Sequence, residues 1–312
     1  MPNTQTITTL TVENQTFYDR ALLERLLPEL HFYNDGKKKK VPKGKGTKIE
    51  WRKFASLAIP EKALTEGTTP NGSSLSITSL VAELSQYGDF VEISDVLDMQ
   101  SKDPVITETS QLLGEQAALL VDTKIRDVVT AGTNVRFVGG KTGRSELTAA
   151  DVLTGEEVKK AVRDLRKNNA KPFADGYFHA VISPEQAYDL MSDTADGGWI
   201  DANKYTDNKK LLKGEIGEYA GVRFMTSSNT ATGTGASDAT VHLGVIYGKD
   251  SYGVPEIGEG SAAKPSIIVK AQGSAGTADP LNQRSTIGWK NFFESKILEQ
   301  NAIVRIETGI SA

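Results

Sequence analysis

The chain has 312 residues, 38% hydrophobic and 24% charged, with 29 glycines, 11 prolines and a net charge of −4. This is globular composition with enough chain for a sizeable core, and no run approaches the roughly 18 apolar residues of a membrane span. The lack of cysteine excludes disulfides, thiolate metal sites and cysteine nucleophiles, and three histidines (His31, His179, His242) leave thin material for an enzyme.

Residues 1–13 alternate threonine with apolar residues and read as an extended arm; without a basic start or an apolar stretch they are not read as a signal peptide. A short amphipathic helix is expected from Phe17 to Leu27, ended by Pro28. Basic charge then concentrates between Lys37 and Lys53. Residues 1–60 hold eleven Lys or Arg against six Asp or Glu, while the remainder holds 25 against 34. An acidic body with one basic segment suits pairing between like molecules; a nucleic-acid-binding domain is usually basic over a whole face. Thr47–Phe54 and Leu75–Val81 alternate polar and apolar residues around the turn-rich Pro60–Ser74, which predicts two strands and a long hairpin-like excursion.

The clearest element follows. Asp103 suits an N-cap and Pro104 a first helical position, and apolar residues recur at Val105/Ile106, Leu112/Leu113, Leu119/Leu120 and Ile125/Val128/Val129. The spacing predicts a helix over about 104–130, roughly 40 Å long, with Gly132 as a left-handed C-terminal stop. No other helix of that length is expected, so it reads as a spine.

Thr154-Gly155-Glu156-Glu157 has the pattern of a capping box ahead of Val158, Ala161, Val162 and Leu165. Gly176–Ile182 reads as a buried strand entering a second capping box, Ser183-Pro184-Glu185-Gln186, and a short helix. Gly214–Gly221 reads as a glycine-punctuated loop leading into a strand, and 226–238 as a surface loop. Val241–Tyr247 and Ser266–Lys270 are strand candidates, and Ile287–Phe293 and Ala302–Glu307 read as two strands or as a short helix and a strand. The fold class is α+β.

Little of this supports chemistry. Gly139-Gly140-Lys141-Thr142 lacks the glycine that a phosphate loop needs five places before its Gly-Lys-Thr; Val135 stands there. The histidines lie 148 and 63 residues apart without ligand spacing, and His179, in an apolar strand, reads as a satisfied core residue. Asp193–Gly198 lacks the spacing and closing glutamate of a calcium loop. No catalytic, cofactor-binding or metal residue is assigned, and no cofactor is expected. The Lys37–Lys53 run could serve as a nucleic-acid site with Trp51 or Phe54 stacking, as a solvated loop, or as an assembly arm. The last is preferred, with Lys37, Lys38, Lys39, Lys40, Trp51 and Arg52 as candidate inter-subunit contacts.

An extended arm, a basic two-stranded excursion, one long spine helix, a mixed central portion and a return to strands form a specific order. It resembles that of the major capsid protein of tailed bacteriophages, the Hong Kong 97-like (Johnson) fold. Tyr177–Ala187 resembles the strand-to-helix step of that family's axial domain. Gly214-Glu215-Ile216-Gly217 with Ala220-Gly221-Val222 resembles its glycine-rich stretch ahead of a strand. Asn282–Lys290 resembles the late peripheral-domain region of the subfamily named after a coliphage that infects with a virion RNA polymerase.

The resemblance implies an N-terminal arm (1–30), an extended loop (31–80), a peripheral domain (81–144 and 261–312) and an axial domain (145–260). It implies a non-enzymatic subunit forming pentamers and hexamers of an icosahedral shell around double-stranded DNA. A separate scaffolding protein, a portal and, as a further candidate, a cement protein would be its partners. No membrane is involved, and assembly would occur in the bacterial host cytoplasm. The alternatives are a nucleic-acid-binding protein acting through Lys37–Lys53, or another phage structural protein of the tail or decoration type.

Overall fold

The computed structural model describes residues 31–41, 46–59, 63, 66–67, 69, 72–100, 105–195, 198–199, 215–257, 265–274, 276 and 279–311. The arm expected over 1–30, including the helix Phe17–Leu27, and the Asp103–Pro104 helix start lie outside these residues, as does part of Asp193–Gly198.

A seven-stranded mixed sheet forms the centre. It is built from β5 (Val135–Phe137), β6 (Phe178–Ile182), β7 (Glu215–Tyr219), β8 (Val222–Thr226), β9 (Ala231–Thr234), β10 (Thr240–Tyr247) and β15 (Ile303–Thr308). The strands run in the order β5-β15-β10-β6-β8-β7, with β9 also on β10; the pairs β15·β5 and β6·β8 are parallel and the rest antiparallel. Its middle strands are apolar on both faces, as a doubly covered sheet requires. On β10, Val245 and Tyr247 enter one core while Ile246 enters the other; on β15, Ile303 and Val304 divide the same way.

One face is covered by α4 (Gly155–Lys167) and α5 (Pro184–Met191), whose Val158, Ala161, Leu165, Ala187 and Leu190 are fully buried or nearly so. The other face meets the spine α3 (Val105–Thr130), the helix the periodicity predicts. Through Leu113, Ala117, Val121, Ile125 and Val129 it packs the central sheet against a second sheet. That sheet has the order β12 (Ser266–Lys270), β13 (Arg284–Phe293), β4 (Ser85–Ser94). β4 and β13 pair antiparallel over ten residues, and Ile93, Ile287, Trp289 and Phe293 face the spine. Burying side chains of this size stabilises by about 1.5–3 kcal/mol each, so the spine is held by its partners more than by its own propensity.

Two small units complete the chain. The short helix α1 (His31–Asp35) leads into β1 (Lys37–Val41), which pairs parallel with β11 (Tyr252–Ile257); β14 (Lys296–Ile297) flanks β11 on its other side. The hairpin of β2 (Lys48–Phe54) and β3 (Ile77–Glu83) projects next, in the register Trp51 opposite Leu80 and Phe54 opposite Ile77. This is the predicted excursion. α2 (Asp95–Gln100) follows β4.

Several local expectations are corrected. Thr154 makes no side-chain cap; Asp193 Oδ2 accepts from the Gly155 amide at 2.8 Å instead, and Glu157 lies 3.6 Å from Arg136. The second capping box forms as read, with Gln186 N donating to Ser183 Oγ at 3.1 Å. Gly132 is not left-handed, so it does not close the spine as a left-handed stop. The stretch read as a loop before a strand is a hairpin, β7–β8, turned by Ala220 (φ 52°) and Gly221 (φ 83°). The segment 226–238 is not all loop, because β9 extends the central sheet.

Candidate interaction surfaces

The described side chains of the basic run have partners within the chain. Lys37 Nζ lies 3.2 Å from Asp250, Lys38 sits over the Tyr33 ring at 4.1 Å, and Lys39 donates to the Glu50 carbonyl and faces the Trp51 ring. Lys40 is in register opposite Glu256 in the β1–β11 ladder. Arg52 reaches Glu50 through Nε and Nη2 at 3.1 and 3.2 Å, and Lys53 pairs with Glu299. Hydrogen bonding and charge from Arg52 lower the Glu50 carboxyl below its ordinary range.

Trp51, taken from sequence as an exposed contact or stacking residue, is only 8% exposed. Its indole lies in a small core with Ile49, Ala82 and Leu84 and covers Gly253, where a Cβ would fall 2.7 Å from Cζ2. The ring therefore fixes the base of the hairpin to β11. Of the two aromatics, only Phe54, at 60% exposure, faces outward. Between the hairpin base, the end of α4 and the β10–β11 turn lies a groove of about 750 Å³, lined by Lys37, Arg52, Lys53, Lys171, Lys249 and Glu299 among others.

The larger outward feature is apolar. On the outer part of the hairpin Phe54, Leu57, Ile59, Leu75 and Ile77 are all more than half exposed, Ile59 at 85%. A second group of exposed apolar residues comprises Phe90 and Val91, on opposite faces of β4, and Val96, Leu97 and Met99 on α2. The spine adds Leu112 and Leu119 outside while Leu113 points inward. Monomers seldom leave so many large apolar residues in contiguous stretches without a partner to cover them. The doublets of the spine carried this signal in sequence: a helix packed on one side needs one member of each pair, and the second member marks another face. The group on β4 and α2 had no such mark, since the alternation that locates a strand does not say which face has a partner.

Among the described residues no group of three or more His, Asp or Glu side chains could hold a metal ion, and no helix is long and apolar enough to cross a membrane. The phosphate-loop candidate is a 3-10 turn, Val138–Gly140, followed by extended backbone. His179 is held between two carboxylates: its Nδ1 lies 2.7 Å from Asp35 and its Nε2 3.0 Å from Asp175. It is a satisfied histidine, as read, although sequence gave no sign of either partner.

Residues 77–306 match the family described as phage capsid protein. No curated protein matches the sequence. Solved structures similar to this chain include the cyanophage Pam1 capsid (18% identity, TM-score 0.69, 92% of each chain covered). The capsid of Ralstonia phage GP4 has 12% identity and a TM-score of 0.68, with 90% of this chain and 91% of that one covered. The capsid of cyanophage P-SCSP1u has 14% identity and a TM-score of 0.65, with 90% and 88% covered. At these identities the likeness is one of fold, and it bears out the Hong Kong 97-like expectation.

Proposed function

This chain belongs to the phage capsid protein family and is a major capsid subunit, and on that premise we propose that its copies form the pentamers and hexamers of an icosahedral shell enclosing double-stranded DNA. The role is structural rather than catalytic, and the protein resides in the virion capsid. The observation that carries the assembly reading is the unburied apolar surface on the outer hairpin, from Phe54 to Ile77, together with the group on β4 and α2. Each can be covered by a second copy, and many such modest contacts, closed by symmetry, stabilise a lattice. In this reading the hairpin lies over the neighbouring subunit.

Residues 31–80 serve as the extended loop and 1–30 as the arm. The peripheral domain comprises 81–144 and 261–312 with the spine, and the axial domain 145–260. One refinement follows from strand pairing: β5 and β15 share the sheet of β6–β10, so Val135–Phe137 and Ile303–Thr308 fall with the axial strands. A scaffolding protein, a portal and a cement protein are the further partners of this reading, with assembly in the host cytoplasm. Lys37, Lys38, Lys39, Lys40 and Arg52 act in it by shaping the loop root, a reading supported by the carboxylates that Lys37 and Arg52 meet and the rings that Lys38 and Lys39 face within the chain. Those same contacts disfavour the nucleic-acid reading, which needs those charges free for phosphates.

Electron microscopy of the purified protein, with sedimentation alongside, tests the proposal. Shells of tens of nanometres, or pentamers and hexamers, are expected. A monodisperse monomer, even with scaffold supplied, would overturn it; rings or tubes would point to a tail protein.

A further inference from the structure

His179 stands on β6 with its ring stacked on Phe173, centroids 4.1 Å apart and planes 15° from parallel. Its side chain is 13% exposed. Both ring nitrogens face carboxylates, and the two carboxylates come from different parts of the chain. Asp35 ends α1, immediately before β1 and the hairpin root, whereas Asp175 lies in the turn that enters β6.

Other charged and titratable groups at this seam come from several elements; on the far side of α1, Asp122 of the spine accepts from the Phe32 amide at 3.3 Å and lies near His31. Arg223 of β8 donates to Asp175 at 2.8 Å and to Glu218 of β7 at 2.8 Å, and its guanidinium lies over the Tyr177 ring. The Tyr177 amide also donates to Asp175, at 3.1 Å. From β10 the Tyr247 hydroxyl donates to Asp35 at 2.9 Å, and from β11 the Tyr252 hydroxyl donates to the Phe32 carbonyl of α1.

A carboxylate can only accept, and a neutral imidazole has one N–H. Both His179 contacts are therefore hydrogen bonds only when the ring is an imidazolium. Loss of its proton turns one of them into a lone pair facing a carboxylate. We propose that His179 is a proton-operated latch that fastens the root of the long hairpin, residues 33–41, to the central sheet. Asp175 keeps Arg223 and the Tyr177 amide in either state, whereas Asp35, among the described residues, keeps only Tyr247, so the weakening falls on the α1–β1 side.

Burial opposes the charge on His179, but hydrogen bonds and charge from Asp35 and Asp175 outweigh it and raise the pKa above the ordinary 6.5. A raised pKa means the contribution is present in full at pH below 6.5 and is lost as pH rises through the higher folded value. The latch is thus closed in mild acid and loosens as the pH rises through that folded value. It rests on contacts within one chain and stands whether or not the shell reading holds.

Hydrogen exchange of the full-length protein, corrected for the intrinsic effect of pH and followed across the titration of His179, tests it. Protection of residues 33–41 is expected to fall about tenfold as the proton leaves, the worth of one hydrogen bond to a charged group. Amides of α4, remote from the seam, should hold constant. His179→Gln should remove the pH dependence, as should Asp35→Asn, which serves if the first variant does not fold; His242→Gln should leave it intact. Flat protection of 33–41 in the wild type, or an unchanged pH dependence in Asp35→Asn, would overturn the latch.

Discussion

Glu307 is the residue on which charge and packing conflict most directly. It lies fully buried on β15, gripped by Arg144 through Nε and Nη2 at 2.6 and 2.8 Å, with Arg305 at 2.8 Å. Hydrogen bonding to Glu307 raises the Arg144 pKa above its ordinary value, so the guanidinium stays charged. Removing Arg144 leaves the buried Glu307 carboxylate with Arg305 as its remaining cationic partner. Arg144→Ala is therefore expected to cost about 1.5–3 kcal/mol in denaturant unfolding, the worth of hydrogen bonds to a charged group. A loss below about 1 kcal/mol, the usual worth of a surface pair, would contradict this. Nothing in the sequence marked this pair, because its partners are 163 residues apart and meet only through the register of β15.

At the level of elements, the capping of α4 separates a sequence pattern from the contact that replaces it. The Asp193 carboxylate, 38 residues away, caps the first turn in place of Thr154. Asp193→Ala should cost about 1 kcal/mol, while Thr154→Ala should fall within a few tenths, because no side-chain bond is lost; equal costs, read as shifts in the urea midpoint, would reverse the assignment. The spine makes the opposite point. Ile125, fully buried between two sheets, is set by periodicity alone, and Ile125→Ala should cost about 2–5 kcal/mol. Trp51 shows where alternation misleads. It marks Trp51 correctly as lying on the apolar face of β2, but cannot reveal that this face closes on Gly253 within the same chain. Trp51→Ala should free the hairpin base and speed protease cleavage between 46 and 76, leaving the central core folded. Unchanged cleavage would show that the indole does not anchor the base.

For the whole molecule, the consequential surfaces are those the lone chain leaves uncovered. Phe54→Ser with Ile77→Ser alters a cross-strand pair on the outer hairpin. Because both residues are more than half exposed, the change should leave subunit stability within about 0.5 kcal/mol. Assembly should nonetheless fail, with sedimentation showing small species where the wild type gives shells. Leu112→Ser with Leu119→Ser should act the same way on the outer stripe of the spine. Normal shells from both double variants would mean that these faces are not between-copy contacts.

The order of elements was legible because it depends on local periods: the 3.6-residue repeat of the spine, the alternation of β2 and β3, the Ser183 box and the apolar runs of β6 and β10 need no distant partner to be read. Those runs, with the arrangement of spine and excursion, were enough for the family resemblance and for the class of function. Tertiary structure alone decided which charges are free and which apolar faces are open. Lys37 found Asp250 because β1 lies along β11, Trp51 became core because the hairpin folds back on Gly253, and His179 gained Asp35, beside its local partner Asp175, because α1 docks beside β6. Each outcome depends on contacts between residues more than a hundred positions apart, and local sequence pattern carries no record of such distances.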